Sequence, residues 1–334
     1  MGLPADSLNR LKPVLSISRS RGAMSIIEQN VFAVVVTYNR KSLLVKCLES
    51  LLRQTRPLTS IVVVDNASTD GTGELLLTTG WLDNGKIELL SQPENLGGSG
   101  GFVSGIKHAL DKGADWAWIM DDDALPEAKA LEHLLQHVSH PTNLYGSVAI
   151  DDQSKLSWIL TPTSSVTGAR KNIHYIEEIP ETLSVAFLPF LGLLIGKKLV
   201  EQIGLPDEKF FLAADDVDYC LRARANGASI VAVGSSRLQH PAAEAYPLNL
   251  PWRKLWCVKL PPWKRYYDVR NRLFVARNHY GPAIYYQTIP GSFLRLVATL
   301  LCEDEKINQL KAFYAGMVDG LRGKKGRRHE LWGL

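Results

Sequence analysis

The sequence predicts an α/β domain with a mainly parallel central sheet flanked by helices, followed by a C-terminal helical extension. Three observations carry this expectation. Short β-branched runs alternate with segments of helical periodicity from Val31 to about residue 120. Polar clusters stand at the ends of three of those runs, and beyond Pro251 the composition turns aromatic and basic. Alternating strands and helices imply parallel strands joined by right-handed crossovers. Ligands of such sheets sit beyond the carboxyl ends of the strands.

Composition narrows the class. The chain has 334 residues, 46% of them hydrophobic and 22% charged, with a formal charge of +4. That is ordinary for a folded, water-exposed protein of one large domain with an appendage. Cys47, Cys220, Cys257 and Cys302 lack C-x-x-C spacing, which argues against a thiolate zinc site and a disulfide framework and fits a reducing cytoplasm. The N-terminus lacks a signal-peptide pattern. The longest apolar run, Ala186 to Gly196, is too short to cross a bilayer and is broken by Pro189.

Taken in order, residues 1 to about 28 are polar and basic without periodicity and read as a poorly ordered leader. Val31 to Val36 reads as a strand buried on both faces, stopping at Thr37-Tyr38-Asn39-Arg40. Ser42 caps a helix carried by Leu43, Leu44, Cys47, Leu48, Leu51 and Leu52 and ended by Pro57. A second strand, Ile61 to Val64, runs into Asp65-Asn66-Ala67-Ser68-Thr69-Asp70-Gly71, and a helix follows from Thr72. The unit repeats as a strand at 87–90, a loop from Gln92 to Gly101, a helix at about 102–112 and a strand at 116–120. Residues 144–190 mix short strands with loops. Phe210 to Arg222 is a loop entering a helix that Gly227 ends, and Ser229 to Val233 is a strand leading to Gln239-His240-Pro241. A further helix opens at Tyr266, and an amphipathic segment covers about 291–321. These elements divide the chain into the leader, a catalytic domain at 29–250 and a basic, aromatic helical region at 251–334.

The chemistry gathers at the strand ends. Trp116-Ala117-Trp118-Ile119-Met120 runs straight into Asp121-Asp122-Asp123. Strand alternation puts Asp121 and Asp123 on one face, with Asp122 pointing elsewhere if the strand persists to its end. Two adjacent like charges call for a cation, and Mn²⁺ or Mg²⁺ would keep positions open for diphosphate oxygens. His240 is a candidate third ligand, although a His before Pro is more often a plain loop residue. Thr37, Tyr38, Asn39 and Arg40 offer a hydroxyl, a ring, an amide and a guanidinium together. Asp65 could accept a base imide N–H while Tyr38 stacks on the base, and Asn66 stands beside it; Asx-turn chemistry is the competing reading of this stretch. The glycine run led by Asn95, with Gly97 and Gly98, could bring backbone amides to a phosphate, though it matches neither a Walker loop nor a G-x-G-x-x-G fingerprint. Asp215 and Asp216 precede a helix, as dipole partners or with one as a general base. Asp218 and Arg222 read as an i, i+4 pair.

Five of these motifs in this order carry a resemblance: Val-Val-Val-Thr-Tyr-Asn-Arg, Val-Val-Asp-Asn-Ala-Ser-Thr-Asp-Gly, Asn-Leu-Gly-Gly-Ser-Gly-Gly, Asp-Asp-Asp and Asp-Asp-Val-Asp-Tyr-Cys-Leu-Arg-Ala. Over about residues 31–240 the chain resembles glycosyltransferase family 2. The resemblance implies a Rossmann-like GT-A fold and inversion at the anomeric centre of a nucleotide-activated sugar. It implies that Thr37, Tyr38, Asn39 and Asp65 hold the nucleoside, and that Asp121 and Asp123 hold the metal–diphosphate. It matches Asp216 to the base and His240 to the late metal-ligand histidine; Asp122 is carried with the nucleotide-sugar contacts. The base motif departs from the family in reading Ala-Asp-Asp without a leading Glu, which leaves Asp215 as the second candidate. The Asp triplet, His240-Pro241, Tyr-Tyr-x-x-Arg-Asn at 266–271 and the tail at 319–326 most resemble bacterial galactofuranosyl- and rhamnosyltransferases of cell-surface polysaccharide synthesis.

The expected partners follow: a nucleotide-sugar donor, UDP preferred over dTDP, and a glycan or polyprenyl-linked glycan acceptor lying over the loops at 158–190 and the segment beyond Pro251. The competing functions are a rhamnosyltransferase using dTDP-rhamnose, a sugar-nucleotide pyrophosphorylase, and a non-catalytic glycan- or lipid-binding module. Trp252, Trp256 and Trp263, interleaved with Arg253, Lys254, Lys259, Lys264 and Arg265, suit an anionic membrane surface on the inner face of the plasma membrane. Packing on the catalytic domain or in a homo-oligomer competes with that reading. Nucleic acid is not an expected partner, because no recognition motif accompanies the charge.

Overall fold

The computed structural model describes residues 29–83, 85–163, 173–250 and 253–334. The expected leader at 1–28, Trp252 and residues 164–172 of the expected acceptor loops lie outside them.

The β-branched run at the start becomes β1 (Val31–Thr37), followed by α1 (Lys41–Leu52), β2 (Ser60–Asp65), α2 (Thr72–Thr78), β3 (Ile87–Ser91), α3 (Gly97–Asp111) and β4 (Trp116–Asp121). β1, β2, β3 and β4 pair in parallel in the spatial order β3-β2-β1-β4, as the strand–helix alternation predicts. After the short β5 (Leu125–Pro126) and α4 (Ala130–Gln136) come β6 (Leu144–Ile150), β7 (Lys155–Leu160), β8 (Ile173–Tyr175), β9 (Thr182–Ser184) and β10 (Leu193–Gly196). β10 enters antiparallel between β4 and β6, and β11 (Ile230–Gln239) lies parallel to β6 on its other side. α5 (Lys197–Ile203) and α6 (Asp215–Ala225) precede β11. The long β11 carries a register shift between Val233 and Arg237, and its far end pairs with β5. That end delivers His240 next to the turn that follows β4.

Alternation in buried strands splits the interior into two layers. Phe32, Val34, Val36, Val62 and Val64 face α3 and α6, against Phe102, Ile106, Tyr219 and Ala223. Val31, Ala33, Val35, Ile61 and Val63 face α1 and α4, against Leu44, Leu48, Leu51, Leu131 and Leu134. Each buried Val, Leu, Ile or Phe among them contributes about 1.5–3 kcal/mol of transfer free energy.

Two sequence expectations shift. α1 begins at Lys41 without a side-chain cap from Ser42; the Lys41 N–H donates instead to the Asp70 carboxylate, 3.2 Å away in the β2–α2 loop. The glycine run is also not a loop up to Gly101, because α3 already starts at Gly97. Close packing, not flexibility, explains those glycines. A Cβ on Gly105 would stand 2.3 Å from Val34 Cγ1, so the helix lies on β1 at a distance that leaves no room for a side chain.

Beyond β11 the region expected to be helical opens instead with an antiparallel hairpin, β12 (Ala245–Leu250) and β13 (Arg253–Val258), which crosses residue 250. Then follow α7 (Pro262–His279), a π-helical turn (Ile284–Thr288), α8 (Ile289–Cys302) and α9 (Lys306–Leu321). The expected amphipathic segment is thus two helices, broken where Glu303 is drawn inward. The Glu303 carboxylate takes the Arg265 guanidinium at 2.5 Å and also the Tyr246 hydroxyl, tying hairpin, α7 and α8 together. A buried ion pair of this kind costs desolvation and fixes orientation more than it adds stability.

Candidate active site

The three polar clusters meet at the C-terminal edge of β1, β2 and β4. There they border a cleft of about 460 Å³ lined by Thr37, Tyr38, Arg40, Asn66, Asn95, Gly97, Gly98, Asp121 and Asp122. Phe211 and Leu212 of the loop before α6 close it together with Trp263, Lys264, Arg327, His329 and Leu334 of the C-terminal region. Its mixed lining of aromatic faces, amides and charges suits a nucleotide.

The acidic corner is built by a turn. β4 ends at Asp121, whose carbonyl accepts the Ala124 N–H at 3.2 Å, so strand alternation stops before Asp122. Asp122 therefore does not point away. It accepts the Thr37 hydroxyl at 2.7 Å and Arg40 Nη1 at 3.3 Å, while the same Arg40 nitrogen donates to Asp123 at 2.8 Å. His240 Nε2 lies 3.3 Å from Asp123 Oδ1. The Ser157 hydroxyl donates to the His240 carbonyl, and the His240 N–H donates to Ile150 O. Burial, then the neighbouring charges of Asp123 and Asp122, push the Asp121 carboxyl up to about 7. Burial also raises Asp122 against the pull of Thr37 and Arg40. At Asp123 burial opposes the charge, but His240 and Arg40 hold the carboxyl below the usual range.

A divalent cation fits this corner in donor chemistry. Burial, Asp123 and Asp122 disfavour the Asp121 anion, which a bound cation would offset, and among the described residues the buried His240 Nδ1 has no partner. Hard oxygen donors beside one imidazole suit Mn²⁺. Yet among the described residues no three such side chains close on one point, and Arg40 occupies one oxygen of Asp123.

Asp65 and Asn39 shape the loops of the site. Asp65 Oδ1 accepts the Ser68 N–H at 2.9 Å, three residues along its own loop, and Asn39 Oδ1 accepts the Thr69 N–H at 2.6 Å. Asn66 bridges to the glycine run, donating to Gly97 O at 2.8 Å and accepting from Leu96 N–H at 3.3 Å. Asn95 caps the same turn, its side chain accepting the Gly97 N–H at 2.8 Å. Gly97 itself has φ +72°, and a Cβ there would fall 2.0 Å from Phe211 O. So Gly97 and Gly98 do line the cleft, but Gly97 is also where the chain lets the 210–214 loop approach.

That loop delivers the carboxylate pair. Phe211, Ala213 and Ala214 all have positive φ (67°, 67° and 64°) and lead into Asp215 at the start of α6. Strained backbone of this kind persists only where its surroundings hold it. Here the Ser99 N–H donates to Phe211 O at 3.2 Å from one side. From the other, Asn271 Nδ2 donates to the carbonyls of Phe210, Leu212 and Ala213 at 3.1, 2.6 and 2.9 Å, and Arg270 Nη2 donates to Phe210 O at 2.8 Å. Desolvation, then Asp215 and Asp121, push Asp216 up to about 7. Burial also raises Asp215, against the pull of the Ser99 hydroxyl beside it. Asp218, the bland member of the series, pairs with Arg222 at 3.0 Å as its spacing predicts.

Sequence reasoning missed Ser99, Arg270, Asn271, Lys264, Arg327 and His329. The Arg-Asn pair was noticed only as a subgroup signature, and Trp263 and Lys264 only as part of an aromatic, basic surface.

Residues 32–202 match the family described as Glycosyl transferase family 2. The chain belongs to glycosyltransferase family 2. It is similar to galactofuranosyltransferase GlfT1 of Mycobacterium tuberculosis, 31% identical over 260 residues covering 74% of this chain and 82% of that one. It is also similar to dTDP-rhamnosyl transferase RfbF of Shigella flexneri, 24% identical and covering 90% and 98% of the two chains. Among solved structures, mannosyltransferase PcManGT of Pyrobaculum calidifontis, in complex with GDP-Man and Mn²⁺, superposes with a TM-score of 0.54 at 16% identity, covering 89% of each chain. GalNAc-T7 with UDP, GalNAc and Mn²⁺ gives 0.56 at 12% identity over 88% of this chain and 57% of that one. The glycosyltransferase thus has the GT-A fold expected of it. Membership sets aside the pyrophosphorylase and the non-catalytic binding module.

Proposed function

We propose that this glycosyltransferase is an inverting, metal-dependent enzyme of cell-surface polysaccharide synthesis. It moves galactofuranose from a UDP-sugar to a glycan or polyprenyl-linked glycan. The observation that carries the reading is that Asp216 and the cleft-lining Asp121 are both pushed up to about 7, Asp216 in part by the charge of Asp121. Carboxylates so tuned suit proton transfer at neutral pH and cation binding respectively.

In this reading Tyr38 and Asn66 receive the nucleoside, with Thr37 and Arg40 holding Asp122 in place at the mouth. Asp216, at the start of α6, accepts the proton of an acceptor hydroxyl as that oxygen attacks the anomeric carbon. The nucleoside diphosphate leaves from the opposite face, which inverts the centre. A divalent cation held by Asp121, Asp123 and His240 would supply neutralisation of the leaving diphosphate. Asp215 stays beside Ser99 at the start of α6. Galactofuranose is preferred on the strength of the Mycobacterium relative. The relative from Shigella, which spans more of this chain, supports dTDP-rhamnose as the second reading.

A thermal-shift screen of nucleoside diphosphates and nucleotide sugars, with and without Mn²⁺, separates the two. The proposal expects a larger shift with UDP and UDP-sugar than with their dTDP counterparts, and a further gain with the metal. Excess chelator is expected to abolish transfer; turnover unchanged by it would overturn the metal dependence.

We also infer peripheral attachment to an anionic membrane surface. Among the described residues no helix is long and apolar enough to cross a membrane. Tyr285, Tyr286, Phe293, Val297 and Leu301 are all exposed along the π-helical turn and α8. Such a face suits the headgroup region. Sedimentation with vesicles containing phosphatidylglycerol is expected to carry the wild type down and to leave Phe293→Ser/Leu301→Ser in solution. Equal sedimentation of both removes the membrane claim, and a concentration-dependent dimer lost in that variant would assign the face to a homo-oligomer.

A further inference from the structure

The last turn of α9 and the residues after it are folded back onto the cleft by a dedicated set of contacts. Asp319, 2% exposed, gathers three donors on Oδ2: the Tyr266 hydroxyl at 2.7 Å, Arg328 Nε at 3.0 Å and Trp332 Nε1 at 3.0 Å. These hydrogen bonds and ion pair hold Asp319 below the usual carboxylate range, even though burial opposes its charge. Arg270 donates to Gly326 O at 2.6 Å, and the Gly326 N–H donates to Lys209 O at 2.7 Å. His329 Nδ1 lies 2.8 Å from the Tyr267 hydroxyl, and its ring packs among Phe211, Trp263 and Tyr267. The segment is therefore pinned at several points.

What the pinning presents is unusual for a packed tail. Arg327, His329 and Leu334 line the same cleft as Thr37, Asn66 and Asp121, and Lys264 lines it from the start of α7. Among the described residues Lys264 makes no ion pair; its ammonium lies 5.4 Å from the centre of the Trp263 ring. Burial, then the charge of Arg40, lower its pKa, while Asp121 and Asp123 oppose the shift. Arg327 is partly exposed and among the described residues pairs with Glu330 alone, three residues along its own segment. A tail whose only task was to cover apolar surface would gain nothing from aiming such groups at a cleft. Several cationic or donor groups converging on one wall match a multiply charged anion.

We propose that residues 326–334 form a wall of the donor site. On it Arg327 and His329, with Lys264, make an anion subsite for the diphosphate of a nucleoside diphosphate sugar. The inference rests on the donor assignment above and deepens it by naming the side chains that take the diphosphate. The segment after α9 thereby becomes part of the donor site instead of an appendage to the fold.

Isothermal titration of the full chain with UDP, dTDP, uridine and thymidine in Mn²⁺-containing buffer tests this. Arg327→Gln/Lys264→Gln is expected to bind the preferred nucleoside diphosphate at least about tenfold more weakly with unchanged affinity for the matching nucleoside, and with a shallower salt dependence. Arg327→Lys is expected to recover part of the loss. Diphosphate affinity unchanged in the double variant overturns the subsite. A parallel loss of nucleoside affinity overturns it too, since that reports a disturbed cleft. If the wild type binds neither diphosphate, the donor assignment itself fails and this inference with it. The wild-type titration thus judges the function, and the ratio of variant to wild type judges the subsite.

Discussion

Replacing Asp216 by Asn is expected to lower glycosyl transfer by about 10²–10⁴-fold, the usual worth of a positioned general base, with nucleotide binding and folding retained. The substitution keeps the shape of the side chain and removes only its ability to accept a proton. Its pH dependence sharpens the test. The Asp216 carboxyl is pushed up to about 7, and a base works only once its proton is gone. Wild-type kcat/KM is therefore expected to climb with pH to a plateau above about 7, measured by nucleoside diphosphate release. The residual rate of Asp216→Asn should lack that limb. Linkage gives an independent sign. A carboxyl raised from its ordinary 3.8 to about 7 favours the folded state most below the lower value, and that contribution is lost as pH rises through the upper one. Asp216→Asn is thus expected to melt no lower than wild type at pH values above about 7. A variant that lost activity by unfolding would melt lower.

The second large effect belongs to Asn271, a residue that touches no reacting atom. Its amide holds three carbonyls of the strained 210–214 loop. An amide has only two N–H donors, so one of those hydrogen bonds is shared. Asn271→Ala frees these carbonyls and lets the loop relax, moving Asp216 by a fraction of its hydrogen-bonding distance. The expected result is a fall in kcat of roughly 10–100-fold with the donor KM near wild type, and a stability loss of about 1–3 kcal/mol for buried acceptors left unpaired. A merely structural role would lower the melting temperature while leaving kcat intact. Steady-state kinetics at saturating donor, alongside thermal melts, read the two apart.

Much of the frame was legible because it rests on local chemistry. Buried β-branched runs become parallel strands wherever helices of the right period separate them. The carboxyl ends of β1, β2 and β4 were therefore bound to bring Thr37, Asn66 and Asp121 together. The glycine run misled for a physical reason. In sequence, Gly97 to Gly101 looks like flexibility, whereas in the fold the glycines let α3 sit directly on β1 and let Phe211 O approach Gly97. Period-2 alternation likewise misplaced Asp122, because a strand's rule lapses at its last residue and a turn turns the side chain back toward Thr37. The larger omission came from sequence separation. Nothing local ties Asn271 to Phe210 or Arg327 to Thr37. Their juxtaposition depends on how α7 and α9 dock, which is decided by buried groups such as Asp319 and Glu303. The hairpin at 245–258 was hidden for a similar reason, since alternation there is masked by Trp and Lys that also suit a helix at an interface.

The measurement that bears most directly on the central claim is the anomeric outcome of transfer. Wild-type enzyme is incubated with UDP-galactofuranose, a synthetic glycan acceptor and Mn²⁺, and the product linkage is read by NMR against the donor's configuration. Acceptor-dependent release of UDP with an inverted linkage, lost in Asp216→Asn, is the predicted result. A retained configuration, or equal transfer by Asp216→Asn, would contradict a single displacement assisted by that carboxylate.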